Sequence, residues 1–209
     1  GGVLRGYAAY RFESASDSNY TQNRLSVEEL VYEDGTILRG LLGGLNMQAD
    51  LAQTVILRTG EEDFHHLLDD PQDVSKNYID YGFLQTNVSA VGTMFKLVDG
   101  EEFVRRTAYR PFPAGTLTAA FRYRDELADS ERCLRIAFSG GHWAAADADA
   151  ASDVTVTCRQ GDLASLLMGS CQLEGILRLG AASADNSGAA QQLSRLLHYG
   201  QKPWLNSDY

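Results

Sequence analysis

Residues 152–170 read SDVTVTCRQGDLASLLMGS. Val154, Val156 and Cys158 alternate with Thr155 and Thr157, the period of a half-buried strand. Asp162 then stands where a helix cap belongs, and Leu163 to Met168 follow as a short apolar helix. The same alternation occurs twice upstream, at Leu117, Ala119, Phe121 and Tyr123 and again at Leu134, Ile136 and Phe138. Three such strands in succession predict an antiparallel sheet. A second short helix is predicted through Leu173, Ile176 and Leu177. A third follows Asp185, Asn186 and Ser187, with Ala190, Leu193, Leu196 and Leu197 on its inner face and Gly200 as its closing residue.

Upstream of the sheet, Asp99-Gly-Glu-Glu102 has the form of a capping box, with Asp99 accepting from first-turn amides and Glu102 reaching back. The helix it starts should end before Pro111. In the first half, Val3 to Phe12 and the stretch holding Leu25, Val27, Leu30 and Val31 read as two strands of a hairpin across the polar loop Ser14 to Asn23. Asp34 starts a helix whose inner face holds Ile37, Leu38, Leu41, Leu42 and Leu45. Gly40, Gly43 and Gly44 weaken it by about 1 kcal/mol each relative to Ala, and are expected to permit close helix packing rather than to bind a phosphate. Thr54 to Arg58 reads as a short strand, and Glu61 to Asp70 as a short helix that Pro71 helps end. The fold class is therefore α+β in two lobes, meeting between Asn87 and Met94.

The chain has 209 residues, 44% hydrophobic and 22% charged, which excludes a disordered protein. No apolar run approaches the roughly 20 residues of a membrane span, and no signal peptide is visible. The opening Gly1-Gly2 without an initiator Met suggests a tag remnant or a piece of something longer. A net charge of −10 without a basic stripe argues against a nucleic-acid partner. It suits cationic partners or simple solubility. Cys133, Cys158 and Cys171 form no CxxC pair, so neither a disulfide scaffold nor a zinc knuckle is indicated, and a cytoplasmic location fits.

Motifs are few. His65 and His66 each precede an Asp by one helical turn, at Asp69 and Asp70, but a solvated face with ion pairs explains the spacing better than a metal does. His142 and Trp143 follow Gly140-Gly141 as a hairpin turn with a packed Trp. Asp147, Asp149 and Asp153 lack the central Gly and distal Glu of a calcium loop. There is no GxSxG, GxGxxG or P-loop pattern.

The order of segments carries more. KLVDGEEFVRR (Lys96 to Arg106), the strands, Asp153 to Gly169, and the closing KPWLNSDY (Lys202 to Tyr209) together resemble the sterol-carrier-protein-like domain of the Eis-type GNAT acetyltransferases. Gly6-Tyr-Ala-Ala-Tyr10, Leu25 to Leu30 and Asp69-Asp70-Pro71 resemble that family's middle lobe. The resemblance implies a GNAT-like mixed-sheet lobe at 1–91, incomplete at its N-terminus, and a domain like sterol carrier protein 2 at 92–209, an antiparallel sheet with helices packed on it. It implies the C-terminal portion of a larger acetyltransferase. In that family an N-terminal GNAT domain holds the acetyl-CoA pyrophosphate on a Gly-rich turn at a helix start. No such turn is present here, so this chain alone is expected to bind no cofactor and to be inactive, whereas the full-length protein would use acetyl-CoA.

By the same resemblance the main-chain carboxylate of Tyr209, if Tyr209 is the natural end, is the general base on an acceptor amine. Asp208 and Asp99 would line an acidic pocket for a cationic amine, of aminoglycoside or lysine type. An N-cap explains Asp99 equally, and a frayed terminus is the plain alternative for Asp208 and Tyr209. The implied partners are the protein's own GNAT domain, the amine and further copies in a homo-oligomer. The alternative is a non-catalytic lipid or acyl-chain binding module, its cavity lined by Leu163, Leu166, Leu167, Leu193, Leu196 and Leu197, which would equally fill a plain core.

Overall fold

The computed structural model describes residues 2–19, 22–79, 82–90, 94–198, 200 and 202–204. It divides into two compact units, Gly1–Val91 with Trp204–Tyr209, and Gly92–Pro203.

The first unit is built on a three-stranded sheet. Strands β1 (Gly6–Ser14) and β2 (Asn23–Tyr32) form the expected antiparallel hairpin, with a bulge between Ala9 and Tyr10. Helix α1 (Gly35–Asn46) then crosses to β3 (Ala52–Leu57), which pairs parallel with β2 as a helical crossover allows. Asp34 caps α1, accepting from the amides of Thr36 at 2.9 Å and Ile37 at 3.0 Å. Arg5 fastens the same corner, donating to Glu33 and Asp34 at 2.7 Å each. Leu25, Val27, Leu45 and Ala52 make a small core with Ala8, Leu30, Leu42 and Leu57 against it. Gly6 permits the close approach of helix and hairpin. A Cβ there would stand 2.6 Å from Ile37 Cγ2 and 2.7 Å from the Val31 carbonyl oxygen. A single 3-10 turn (Phe64–Leu67) and a two-residue hairpin, β4 (Tyr78–Ile79) with β5 (Phe83–Leu84), complete the unit.

The second unit begins with α2 (Gly100–Arg106). Its sheet holds β6 (Leu117–Asp125), β7 (Ser130–Ser139), β8 (His142–Ala145), β9 (Val154–Cys158) and β10 (Ala182–Ala184), in the order β10-β9-β6-β7-β8. Helices α3 (Gln160–Met168), α4 (Leu173–Arg178) and α5 (Ser187–Leu196) supply its remaining apolar faces. The alternation assigned from sequence holds: Leu117, Ala119, Phe121, Leu134, Ile136, Phe138, Val154 and Val156 all join one core with Leu163, Leu166, Leu167, Leu193, Leu196 and Leu197. The fold is thus the expected α+β class in two units, each a sheet with helix packed on it.

Several local expectations are corrected. The sheet is not wholly antiparallel, because β9 runs parallel to β6. Arg159, not Asp162, is the N-cap of α3, and Asp162 lies in the first turn paired with Arg159 at 2.7 Å. Helix α5 is capped by Asn186, which accepts from the Ala189 amide, and it ends at Leu197 rather than at Gly200. The helix expected over Glu61 to Asp70 is only the 3-10 turn, so Asp69 and Asp70 lie outside it. Gly40, Gly43 and Gly44 permit no close packing among the described residues, for a Cβ at any of them meets nothing within 4 Å.

Candidate functional site

The start of α2 is where the sequence points. Asp99 is the N-cap, accepting from the Glu102 amide at 2.9 Å. The capping box is only half formed. Glu102 does not reach back to Asp99 but turns forward to Arg106 at 2.6 Å and to Arg105. These two guanidinium groups, Arg106 first, hold its carboxyl below the usual carboxylate range.

The other wall comes from β8. Gly140 and Gly141, at φ +59° and +78°, make the tight turn that the sequence predicted, since only left-handed backbone closes so short a hairpin. The turn seats Trp143, 2% exposed, among Phe103, Phe112 and Phe138. Its indole N–H donates to the Thr107 carbonyl at 3.1 Å and so ties the end of α2 to the sheet. Ala144 and Ala145 then face Asp99, Glu101, Glu102, Arg105 and Ala108 across an open depression of about 420 Å³. Three carboxylates and one guanidinium line it. Glu102 is paired with two arginines, so the three carboxylates outnumber the guanidinium groups by one, and the excess negative charge rests on Asp99 and Glu101, which suits a cation. Asp99 spends one oxygen on the cap and keeps the other.

Of the three site residues expected from sequence, the structure places Asp99. Asp208 and Tyr209 lie outside the described residues. Glu101 and Arg105 were missed as lining residues, although the motif that drew attention to Asp99 contains both. Among the described residues no group of three His, Cys, Asp or Glu could hold a metal ion, and no helix is long and apolar enough to cross a membrane. His65 and His66 stack on each other at 4.1 Å, with His65 Nδ1 at 3.2 Å from the Glu62 carbonyl. The six leucines named for a lipid cavity are 0–3% exposed within the core, and none lines this depression.

Comparison with known families accords with this division. Residues 101–206 match the sterol carrier protein domain, and residues 1–88 match the acetyltransferase (GNAT) domain. The sterol carrier protein match covers just over half of the chain, which belongs to that domain family. The GNAT match lies within this chain, and gives no support to reading it as only the C-terminal portion of an acetyltransferase. No curated protein sequence matches significantly. Among solved structures, Eis1 from Mycobacterium abscessus aligns at TM-score 0.61 and 20% identity, over 98% of this chain and 48% of that one. A GCN5-related N-acetyltransferase from Anabaena variabilis aligns at TM-score 0.62 and 12% identity, over 97% and 47%. Another from Kribbella flavida aligns at 0.59 and 15%, over 98% and 46%. The chain therefore spans about half the length of the solved structures it matches, and at these identities the likeness is one of fold.

Proposed function

We propose that this chain forms the amine-acceptor side of an Eis-like N-acetyltransferase. It presents the Asp99 carboxylate to a cationic amine, of aminoglycoside or lysine type. Where Tyr209 is the last residue of the natural protein, its main-chain carboxylate accepts the proton that the ammonium must lose before the nitrogen can attack. The observation that carries the reading is the acid-lined depression at Asp99, in a chain whose halves match a GNAT domain and a sterol carrier protein domain.

Acetyl-CoA, the acyl donor of such a reaction, does not fit the described helix of the GNAT unit. The first-turn amides of α1 that would face a pyrophosphate are taken by the Asp34 carboxylate, and Glu33 stands beside it. This supports assigning the donor to a further GNAT domain of the full-length protein. Exposed apolar side chains in the first unit, such as Phe12, Val31 and Phe83, support association into a homo-oligomer. A cytoplasmic location agrees with three free cysteines. The lipid-binding alternative has less support, because the leucines it needs are packed in the core.

The test is acetyl transfer by the full-length protein to a lysine peptide and to an aminoglycoside. One glycine added after Tyr209 displaces the carboxylate and should lower kcat by about 10²–10⁴. Tyr209→Phe, which keeps it, should leave kcat within about twofold, a margin set by an unchanged base. An extension without effect overturns the general-base role. Asp99→Asn still caps α2 but removes the charge, so it should raise KM for the amine severalfold while the fold is retained.

A further inference from the structure

The sheet of the second unit has a second face, on which Thr118, Ala120, Arg122, Cys133, Arg135, Thr155, Thr157 and Ser183 alternate with the core residues. Register sets Ser183 beside Thr157, and Thr157 beside Arg122, so that one row crosses β10, β9 and β6. These three residues, with Thr155, Ala184 and Asp185, line a depression of about 290 Å³. Most arginines nearby are engaged: Arg124 with Asp129, Arg132 with Asp125 and Arg159 with Asp162. Among the described residues Arg122 has no ion pair or hydrogen bond, and Asp185 acts on it only through space. On β7, Arg135 pairs with Ala120, two residues before Arg122 on β6, and holds a buried Nε that has no acceptor among the described residues.

The geometry points to a binding site for a small ligand with a single oxyanion head, a carboxylate or a phosphate, held by the Arg122 guanidinium with the Thr157 and Ser183 hydroxyls. A guanidinium offers paired N–H donors that match two oxygens of such a head, and the hydroxyls supply further donors from one side. Arg135 adds positive potential from the next strand. Asp185 sets the limit on charge. Its carboxylate is spent on the Thr155 amide, at 2.7 Å, and stays ionised at the rim, so a second negative group on the ligand would be repelled. The volume suits a head with a small body rather than a long chain. This site is independent of the acetyltransferase reading.

The experiment is a residue-resolved NMR titration of the whole chain with inorganic phosphate and, separately, with acetate, at an ionic strength held constant with sodium chloride. Saturable shifts at the amides of Arg122, Thr157 and Ser183 are expected from at least one of the two, and the one that saturates identifies the head. Arg122→Gln should weaken binding about tenfold or more, the loss of one charge-assisted contact. Arg122→Lys, which keeps the charge without the fork, should fall between. Arg124→Gln, whose partner is Asp129, should leave binding unchanged. Shifts that do not saturate, that chloride reproduces, or that survive Arg122→Gln overturn the proposal. So does binding of phosphatidylglycerol vesicles with no response to either small anion, which would make the face a membrane contact.

Discussion

The two units bury very different amounts of their own apolar surface. In the sterol-carrier-like unit 23 residues form one continuous buried cluster, from Leu97 to Leu197. In the GNAT-like unit, among the described residues, only Leu25, Val27, Leu45 and Ala52 do so, while Tyr10, Phe12, Val31, Val55, Tyr78 and Phe83 stay 39–76% exposed. Charge divides in the same sense. Residues 1–91 hold 14 of the 28 carboxylates but only 6 of the 18 lysines and arginines. A small core under an acidic surface resists unfolding weakly, since little burial opposes chain entropy and like charges add repulsion. The second unit therefore holds most of the burial that stabilises the described structure.

The sharpest way to break that comparison is to truncate one core residue in each unit and follow hydrogen exchange across the full chain. Trp143→Ala removes the indole and its bond to Thr107 and should cost about 3–5 kcal/mol, read in the slowest amides of β6 and β7. Leu45→Ala should cost about 2–3 kcal/mol and release only β1 to β3. Equal loss of protection in both units from either variant would show a single cooperative body. Gln160→Leu comes next. Gln160 is 7% exposed and donates to the Leu97 carbonyl at 2.9 Å, so the variant orphans a buried acceptor at a cost of about 1–3 kcal/mol in denaturant unfolding. Gly6→Ala, overpacked against Ile37 and the Val31 carbonyl, should lower stability by about 1–3 kcal/mol in the first unit alone.

Smaller effects sharpen the contrast. Burial pushes the Cys158 thiol up to about 11 and also raises that of Cys171, whereas Cys133 is exposed. Mass-resolved alkylation at pH 8 should therefore label Cys133 first and Cys158 last. Labelling of Cys158 at the Cys133 rate would mean that the larger core opens freely. On acidification, hydrogen bonds from the Ile37 and Thr36 amides hold the Asp34 carboxyl below its usual range, and the Thr155 amide does the same for Asp185. Stabilisation from such lowered carboxyls is full at neutral pH and is lost as pH falls below about 4 toward the native values. Circular dichroism and exchange against pH should show the first unit lost before the second.

Period was legible in the sequence, and direction was not. Leu117, Ala119 and Phe121 announce a strand with one buried face, and the structure keeps that face. Nothing in an alternation states which way a neighbour runs, so the parallel docking of β9 on β6 was missed. Caps were read by residue type, correctly at Asp34 and Asp99. The Asp162 carboxylate was instead claimed by Arg159, a competition between neighbours that a propensity does not register. Glu61 to Asp70 had helical composition but too little apolar surface to sustain more than one turn. At the candidate site Asp99 was legible through its motif. Arg122 was not, because its partners Thr157 and Ser183 lie far along the chain and meet only through sheet register.

That strand order also governs how the sheet can be made. Strands β6, β7 and β8 are joined by short turns and can zip together as soon as they exist, whereas Phe121 must wait for Val156, about 35 residues later, before its other edge is covered. On a ribosome the open edge of β6 would be presented to solvent and to other nascent chains throughout synthesis of residues 126–153. The hazard in the birth of this protein therefore lies in the sterol-carrier-like unit, the one that is best protected once finished.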